Sequence, residues 1–382
     1  MWIIKKYGKA LVLFLSLCLT FVAFSVCVSA EGTQMPDGYR DFLDSLPSDT
    51  SDVLPEGIYS EDAGEVADAV KVMSGIEYLL SAVISCFGAG LSRILPHALT
   101  LLGVLLVGAV GSTLSAHLSG GAAGAFDICS RLVVFASVGG VAVSVLMDVK
   151  EYFTQLCAGI TAFIPLSSTL YAMGGNIGAA SSSGAGLLCA LGVTELLSGV
   201  VVVPMFCFCI ALSFIGCISA EVGVGSLGAS VKRIFLTALG FITAVLSLSL
   251  SSQTLISSKA DNLAMKGARV FLGSIPVTGG TVSSGLGTLV SGIELIRGAV
   301  GVGGIIIILI LLLPVIVELW LIRGIYSTLG TVAGAFGMSQ EGKLLSEVSE
   351  LYGILEGVCL MCSLTFFVSM AVLCRSAAAI GG

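Results

Sequence analysis

The chain has 382 residues, of which 56% are hydrophobic and 11% charged, and its mean hydropathy is +1.07. A soluble domain carries about a quarter charged residues, so this chain has too few charges to cover its surface in water. Lipid must be the solvent for most of it, and we expect an all-α protein, a polytopic bundle of membrane helices. The net charge of −7 and a sequence without a basic patch argue against a nucleic-acid partner.

The first 30 residues have the pattern of a secretory signal peptide. Lysines form a positive amino-terminal region, an apolar run covers residues 10–26, and Val28-Ser29-Ala30 supplies small residues for cleavage after Ala30. The alternative is an uncleaved first helix. In either case residue 31 faces outward.

Residues 31–65 form an acidic extracytoplasmic segment, in which ten acids are accompanied by one base, Arg40. Proline, serine and aspartate clusters make its composition loop-like. Residues 66–92 follow as an amphipathic helix, because apolar side chains recur there at steps of three and four. This helix could lie in the membrane interface, bind a partner or cross the membrane as a further span.

The polytopic membrane domain covers residues 93–382. Its apolar runs predict six spans, namely 94–116, 132–147, 184–220, 234–252, 301–322 and 351–374. The run 184–220 would reach about 55 Å as one helix, nearly twice the hydrocarbon thickness, so it must tilt, protrude or break. With six spans the basic segment 253–300 faces outward, against the positive-inside tendency. A seventh span over 76–91 would remove that conflict, and both counts stay open.

Two proline-centred segments suggest an internal repeat. Ile164-Pro165 and Ile275-Pro276 each precede a stretch rich in glycine, serine and threonine, and each is followed by a proline in the next long apolar run. Matching interrupted segments are typical of transporter or channel cores built from repeats, although chance recurrence is the alternative. We expect helix breaks at Pro165, Pro204, Pro276 and Pro314. Unwound backbone in lipid needs protein or water as its hydrogen-bond partner. The Pro165 and Pro276 segments should therefore face each other near the centre of the protein.

Motifs that resemble enzyme chemistry are incomplete. Gly223–Gly228 has GxGxxG spacing without the strand and acid of a dinucleotide site, and Gly337–Lys343 has Walker A spacing with Leu344 where Ser or Thr should stand. The twelve cysteines and two histidines assemble no metal site. We therefore predict no catalytic residue, no metal, no cofactor and no enzymatic activity.

Two carboxylates, Glu195 and Glu318, lie inside apolar runs near prolines. A carboxylate in lipid is costly unless it is paired or hydrated. They are candidates for a polar path and should reach the same interior, with Arg131, Arg297 or Arg323 as partner. The alternative is that they are structural pairs or boundary residues.

One stretch resembles a known family. Phe271-Leu272-Gly273-Ser274-Ile275-Pro276-Val277-Thr278-Gly279-Gly280-Thr281-Val282-Ser283, preceded by Lys259-Ala260-Asp261, is similar to a core segment of the stage III sporulation protein AE family. Arg297–Val302 and Leu313-Pro314 are similar too, and Phe163–Leu166 more loosely. The resemblance covers most of residues 31–375.

The resemblance implies a membrane component of the sporulation-specific channel or export apparatus that links mother cell and forespore. Such a protein acts by assembly and lines a conduit. Its implied location is the mother-cell membrane surrounding the forespore, as a multi-pass protein in contact with lipid. The implied partners are other proteins of the same stage III sporulation operon, including a secretion-type ATPase. The alternative is a secondary transporter in which Glu195 and Glu318 couple an ion to a solute.

Overall fold

The computed structural model describes residues 34–47, 54–115, 120–173, 177–218 and 279–381, together with part of 228–244. The predicted cleavage after Ala30 and the predicted break at Pro276 lie outside these residues, as does most of the predicted span 234–252. Within the described ranges the chain is helical, apart from turns and one isolated antiparallel bridge between Gln34 and Asp62.

Two short helices precede the long ones. They are α1 (Asp37–Asp44) and α2 (Ala63–Met73), with a 3₁₀ turn at Glu56–Tyr59 between them. The long helices are α3 (Ile76–Ser115), α4 (Gly120–Met173), α5 (Ile177–Leu196), α6 (Val203–Ile218), α7 (Gly279–Ala335) and α8 (Ser339–Gly381). A π-helical turn, Leu197–Val202, joins α5 to α6, so the two form one continuous rod.

Five of these helical segments are long and apolar enough to cross a membrane, with bounds Ile76–Leu114, Gly124–Met173, Gly184–Ile218, Leu295–Ala335 and Ser339–Ala371. The chain is therefore an all-α polytopic membrane protein, as its composition predicts.

The helices are longer than the predicted spans. α4 has 54 residues and α7 has 57, so each extends about 80 Å, against about 30 Å for the hydrocarbon core. The predicted span 132–147 ends immediately before the charged residues Asp148, Lys150 and Glu151. In the structure they lie in the middle of α4, because charged side chains on a helix need partners or water but do not end it.

The predicted amphipathic helix 66–92 is divided in two. α2 ends at Met73 and is capped by Ser74, whose hydroxyl donates to the Lys71 carbonyl at 2.7 Å. α3 then starts at Ile76 and continues through residues 76–91 into the predicted span 94–116. Residues 76–91 thus belong to a helix that is long enough to cross the membrane.

The core of the bundle is the antiparallel pair α7 and α8. Every residue from Gly301 to Leu313 is buried, so this part of α7 is enclosed on all sides, by α8 and by neighbouring helices that include α2, α3 and α4. Near the turn between them α7 and α8 cross at backbone contact: a Cβ added to Gly342 would lie 2.7 Å from the Gly330 carbonyl oxygen. Side chains larger than hydrogen cannot occupy this crossing without displacing the backbone.

Residues 34–47 and 54–75 form a folded cap on one end of the bundle. Ile58, Val66 and Met73 are fully buried in it, and the Phe42 ring packs edge-on against Phe163 of α4 at 5.9 Å. The buried Tyr39 hydroxyl donates to the Ile58 carbonyl at 3.1 Å, and its burial raises its pKa above the ordinary tyrosine range. The described part of the acidic segment is therefore not only loop: its apolar residues fold onto the membrane helices, while Asp41, Asp44, Glu56, Glu61 and Glu65 are exposed.

Candidate functional site

Glu318 of α7 is mostly buried and forms an ion pair with Arg93 of α3, whose side chain is 53% exposed. The Glu318 side chain is only 13% exposed, and its Oε2 lies 3.3 Å from Nη1 of Arg93. The other guanidinium nitrogen of Arg93, Nη2, lies 3.1 Å from Asp148 in α4. One arginine thus joins two carboxylates and ties together α3, α4 and α7.

A second, more deeply buried pair lies nearby. Nη1 of Arg323 in α7 is 3.1 Å from Oε2 of Glu356 in α8, and the two side chains are 11% and 8% exposed. Gly353 makes room for this pair, because a Cβ there would lie 2.7 Å from the Arg323 guanidinium carbon. Arg323 is five residues beyond Glu318, about 7.5 Å along the helix axis. We call Arg93, Asp148, Glu318, Arg323 and Glu356 the charge layer.

The partners of Glu318 differ from those predicted. Arg131 lies 3.8 Å from Glu341 and donates to the carbonyls of Cys217 and Ile218. Arg323 pairs with Glu356. Arg93 lies at the boundary between two predicted segments and is not among the predicted partners of Glu318. A single charge among apolar residues, as at Arg93, is the sequence signal that points to an ion-pair partner.

Arg297 is fully buried and holds the end of α4. Its Nε and Nη2 donate to the Leu170 carbonyl at 2.8 and 2.6 Å, and Nη2 also reaches the Tyr171 carbonyl at 3.1 Å. These carbonyls belong to the last turn of α4, where a cation is favoured by the helix dipole and by acceptors without helical partners. Arg297 therefore fixes α7 against the end of α4 rather than pairing with Glu318.

Glu195 is placed differently from Glu318. It is exposed on α5, one residue before Leu196, where α5 ends and the π-helical turn begins. Its carboxylate has no ion-pair partner in the described part of the chain. The prediction that Glu195 and Glu318 reach one interior is not met by this geometry, because Glu195 faces the outside of the bundle.

Two of the predicted helix breaks, at Pro165 and Pro314, are absent from the structure, because the helix continues through each proline. α4 continues through Pro165 and α7 through Pro314, while the π-helical turn immediately precedes Pro204. In the turn after Pro165 the hydroxyls of Ser167 and Ser168 donate to the Ile164 carbonyl at 2.9 and 3.0 Å. Serine and threonine hydroxyls bonded to the helix backbone in this way remove the need to unwind a polar stretch in lipid.

The Walker-like motif is a turn between helices. Gly337 has a φ of +82° and lies between α7 and α8, a conformation that favours glycine. Ser339–Lys343 form the first turn of α8, and Gly342 packs on Gly330. This geometry leaves no phosphate-binding loop at these residues. Among the described residues no group of three or more His, Cys, Asp or Glu could hold a metal ion.

Comparison with known proteins identifies one family. The family model described as stage III sporulation protein AE matches residues 66–377. The matched region contains the charge layer, Glu195 and the five described segments that are long and apolar enough to cross a membrane. No curated protein and no solved structure matches the chain.

Proposed function

Because the chain belongs to the stage III sporulation protein AE family, we propose that it is a membrane component of the channel or export apparatus linking mother cell and forespore. In this proposal it is a multi-pass protein of the mother-cell membrane that surrounds the forespore. It acts by assembling with other proteins of the same stage III sporulation operon and by lining part of a conduit. A separate secretion-type ATPase supplies the energy. This division of labour is supported by the Walker-like motif of the chain, which is a turn between two helices and not a phosphate-binding loop.

The observation that carries the proposal is the filled centre of the bundle. A self-contained secondary transporter binds its solute near the bilayer midplane, in a site between its halves. Here the centre is occupied by residues 301–313 of α7, all buried among aliphatic side chains. A void between α6 and α8, lined by Phe206, Leu351 and other apolar residues, measures about 10 Å³. That is about the volume needed by one water molecule. The described bundle therefore supports an assembly subunit better than an autonomous transporter.

In this role the charge layer sets the register of the helices. Arg93 joins α3, α4 and α7, and Arg323 joins α7 to α8, so a shift of one helix along another would separate opposite charges. Separated charges in a medium of low dielectric constant are strongly unfavourable. The layer thus gives the membrane domain one fixed arrangement on which partner proteins can assemble.

Two measurements test the proposed function. Purified chain reconstituted in liposomes should show no solute uptake driven by a proton or sodium gradient. Affinity purification of the chain from membranes of sporulating cells should recover other products of its operon. Gradient-driven uptake by the chain alone, combined with purification free of those partners, would favour the transporter alternative and reject the assembly role.

A further inference from the structure

The end of the α7–α8 hairpin presents a polar surface. Between the charge layer and the turn at Gly337, the exposed positions of both helices carry small, hydroxyl or charged side chains. Phe336, at the turn itself, is the one large hydrophobic side chain exposed between Leu319 and Glu356. We call this surface the hairpin face; its members are Gly324, Thr328 and Thr331 on α7, and Lys343, Ser346 and Glu350 on α8.

The exposed positions of the two helices lie on one side of the hairpin. α7 and α8 run antiparallel and touch at Gly330 and Gly342. Thr331 and Lys343 each follow the touching glycine by one residue, which is about 100° around the helix. Because the two helices run in opposite directions, these rotations turn both side chains to the same side. The hairpin face is therefore continuous across α7 and α8.

This face lies at the same depth as a helix that exposes large hydrophobic side chains. α8 runs level with α6 here, because the rings of Tyr352 and Phe206 are 5.6 Å apart and the Cys217 thiol donates to the Gln340 carbonyl at 3.4 Å. Between these two contacts α6 exposes large hydrophobic side chains, namely Phe208 and Ile215.

α3 shows the same contrast with the hairpin. It is level with the end of the hairpin, since a Cβ added to Gly108 would lie 2.7 Å from the Met338 methyl carbon. Around that contact α3 exposes aliphatic side chains, namely Leu106, Val107 and Val110. Exposed hydrophobic surface of this extent marks contact with a membrane or a partner, and on a membrane-spanning helix lipid chains solvate it well. We therefore place this depth of the bundle within the hydrocarbon.

Charge excludes lipid from the hairpin face. The Glu350 side chain is 69% exposed, and the ammonium of Lys232 lies 3.8 Å from its carboxylate. Lys343 is exposed as well, and its ammonium forms no ion pair within the described residues. Charged side chains at membrane depth face a water-filled cavity or pair with one another inside protein, because contact with lipid is costly.

Composition favours water over a partner subunit as the cover of this face. The centre of a protein interface is depleted in charged residues and is held together by a few buried aromatic or other large side chains. The hairpin face has no aromatic or aliphatic side chain among its members and carries charges of both signs. Polar and charged side chains of this kind line water-filled pores.

We propose that the hairpin face lines the conduit and is in contact with water in the assembled complex. Residues 301–313 of α7 fill the centre of the described bundle, so the conduit passes along the outside of that bundle, between it and neighbouring subunits. The hairpin face supplies the polar wall, while α3 and α6 face lipid. This inference rests on the proposed function, because it names the surface by which the subunit lines the conduit.

Cysteine accessibility tests the contact with water. Thr328→Cys and Ser346→Cys place a thiol on the hairpin face, whereas Val107→Cys and Ile215→Cys place one on the hydrophobic surface at the same depth. All four are made in a cysteine-free chain that supports normal spore yield. Membranes of sporulating cells, opened so that both sides are accessible, are treated with a charged methanethiosulfonate reagent, which reacts with a thiolate in water. We expect the two face positions to react at least tenfold faster than the two controls, because lipid excludes the reagent and suppresses ionisation of the thiol.

Three outcomes of this labelling overturn the proposal. The first is equal rates at all four positions, and the second is face positions that react as slowly as the controls. The third is face positions that react only after detergent has separated the chain from its partners, because a protein and not water then covers the face.

Added bulk provides the second test, in the otherwise native chain. Thr328→Trp and Ser346→Trp should each reduce spore yield at least tenfold at normal protein abundance, with unchanged recovery of operon partners, because the ring narrows the conduit. Val107→Trp adds the same bulk towards lipid and should sporulate like wild type. Normal spore yield from both face variants, or loss of the operon partners from the purified complex, overturns the proposal. If the face thiols are unreactive while the chain still co-purifies with its operon partners, only this lining is lost and the assembly role stands.

Discussion

Removing Glu356 should destabilise the membrane domain more than any surface change. In Glu356→Leu the guanidinium of Arg323, only 11% exposed, loses the carboxylate at 3.1 Å and stays buried without its counter-charge. Breaking a buried pair by removing one partner costs about 3–5 kcal/mol, whereas replacing both partners by apolar residues is often neutral. We therefore expect Glu356→Leu to lower the free energy of unfolding by about 3 kcal/mol or more, and Arg323→Met/Glu356→Leu to recover most of that loss.

The assay is reversible unfolding in mixed micelles, followed by helical circular dichroism, for wild type, both single variants and the double variant. Glu61→Leu is the matched control, because Glu61 pairs with Arg40 at 3.2 Å in the cap but the two side chains are 80% and 72% exposed. Exposed pairs contribute little, so this control should unfold like wild type. A loss below about 1 kcal/mol in Glu356→Leu, or a double variant as unstable as the single one, would refute the reasoning.

Further predictions concern the crossing of α7 and α8, the role of Glu318 and the amino terminus. Gly342→Ala should lower the stability of the membrane domain, because its Cβ would lie 2.7 Å from a backbone oxygen. Gly334→Ala is the control, since a Cβ there meets nothing within 4 Å, and thermal unfolding of the two variants compares them. Glu318→Gln should leave spore yield within about twofold of wild type, since Asp148 still neutralises Arg93 and the amide remains a hydrogen-bond acceptor. A large loss of spores at normal protein abundance would instead support a polar path. Intact mass of the membrane-extracted protein should correspond to a chain beginning at Glu31, and a chain beginning at Met1 would contradict signal cleavage.

The helical membrane architecture could be predicted from composition, because a chain with long apolar runs and few charged residues must have lipid as its solvent. Long apolar runs such as 301–322 have no other stable placement, and the structure contains them within long helices. The lengths of those helices could not be predicted in the same way. In sequence the charges at Asp148–Glu151 resemble a membrane boundary. In the structure α4 continues through them, and Asp148 pairs with Arg93 of the neighbouring helix α3.

The contacts of the charge layer were beyond sequence reasoning for a related reason. Arg93 and Glu318 are separated by 225 positions in the chain, and several arginines were equally acceptable partners by type. The polarity of the Pro165 segment suggested unwound backbone, but local hydroxyl–carbonyl bonds satisfy it as a helix.

The assembly role depends on the chain functioning as one part of a larger complex. Its most direct test is native mass spectrometry of the chain released in mild detergent from membranes of sporulating cells. We predict particles that contain the chain together with other products of its operon. Particles that contain a single copy and no other protein, under conditions that preserve a known membrane complex of the same cells, would contradict it.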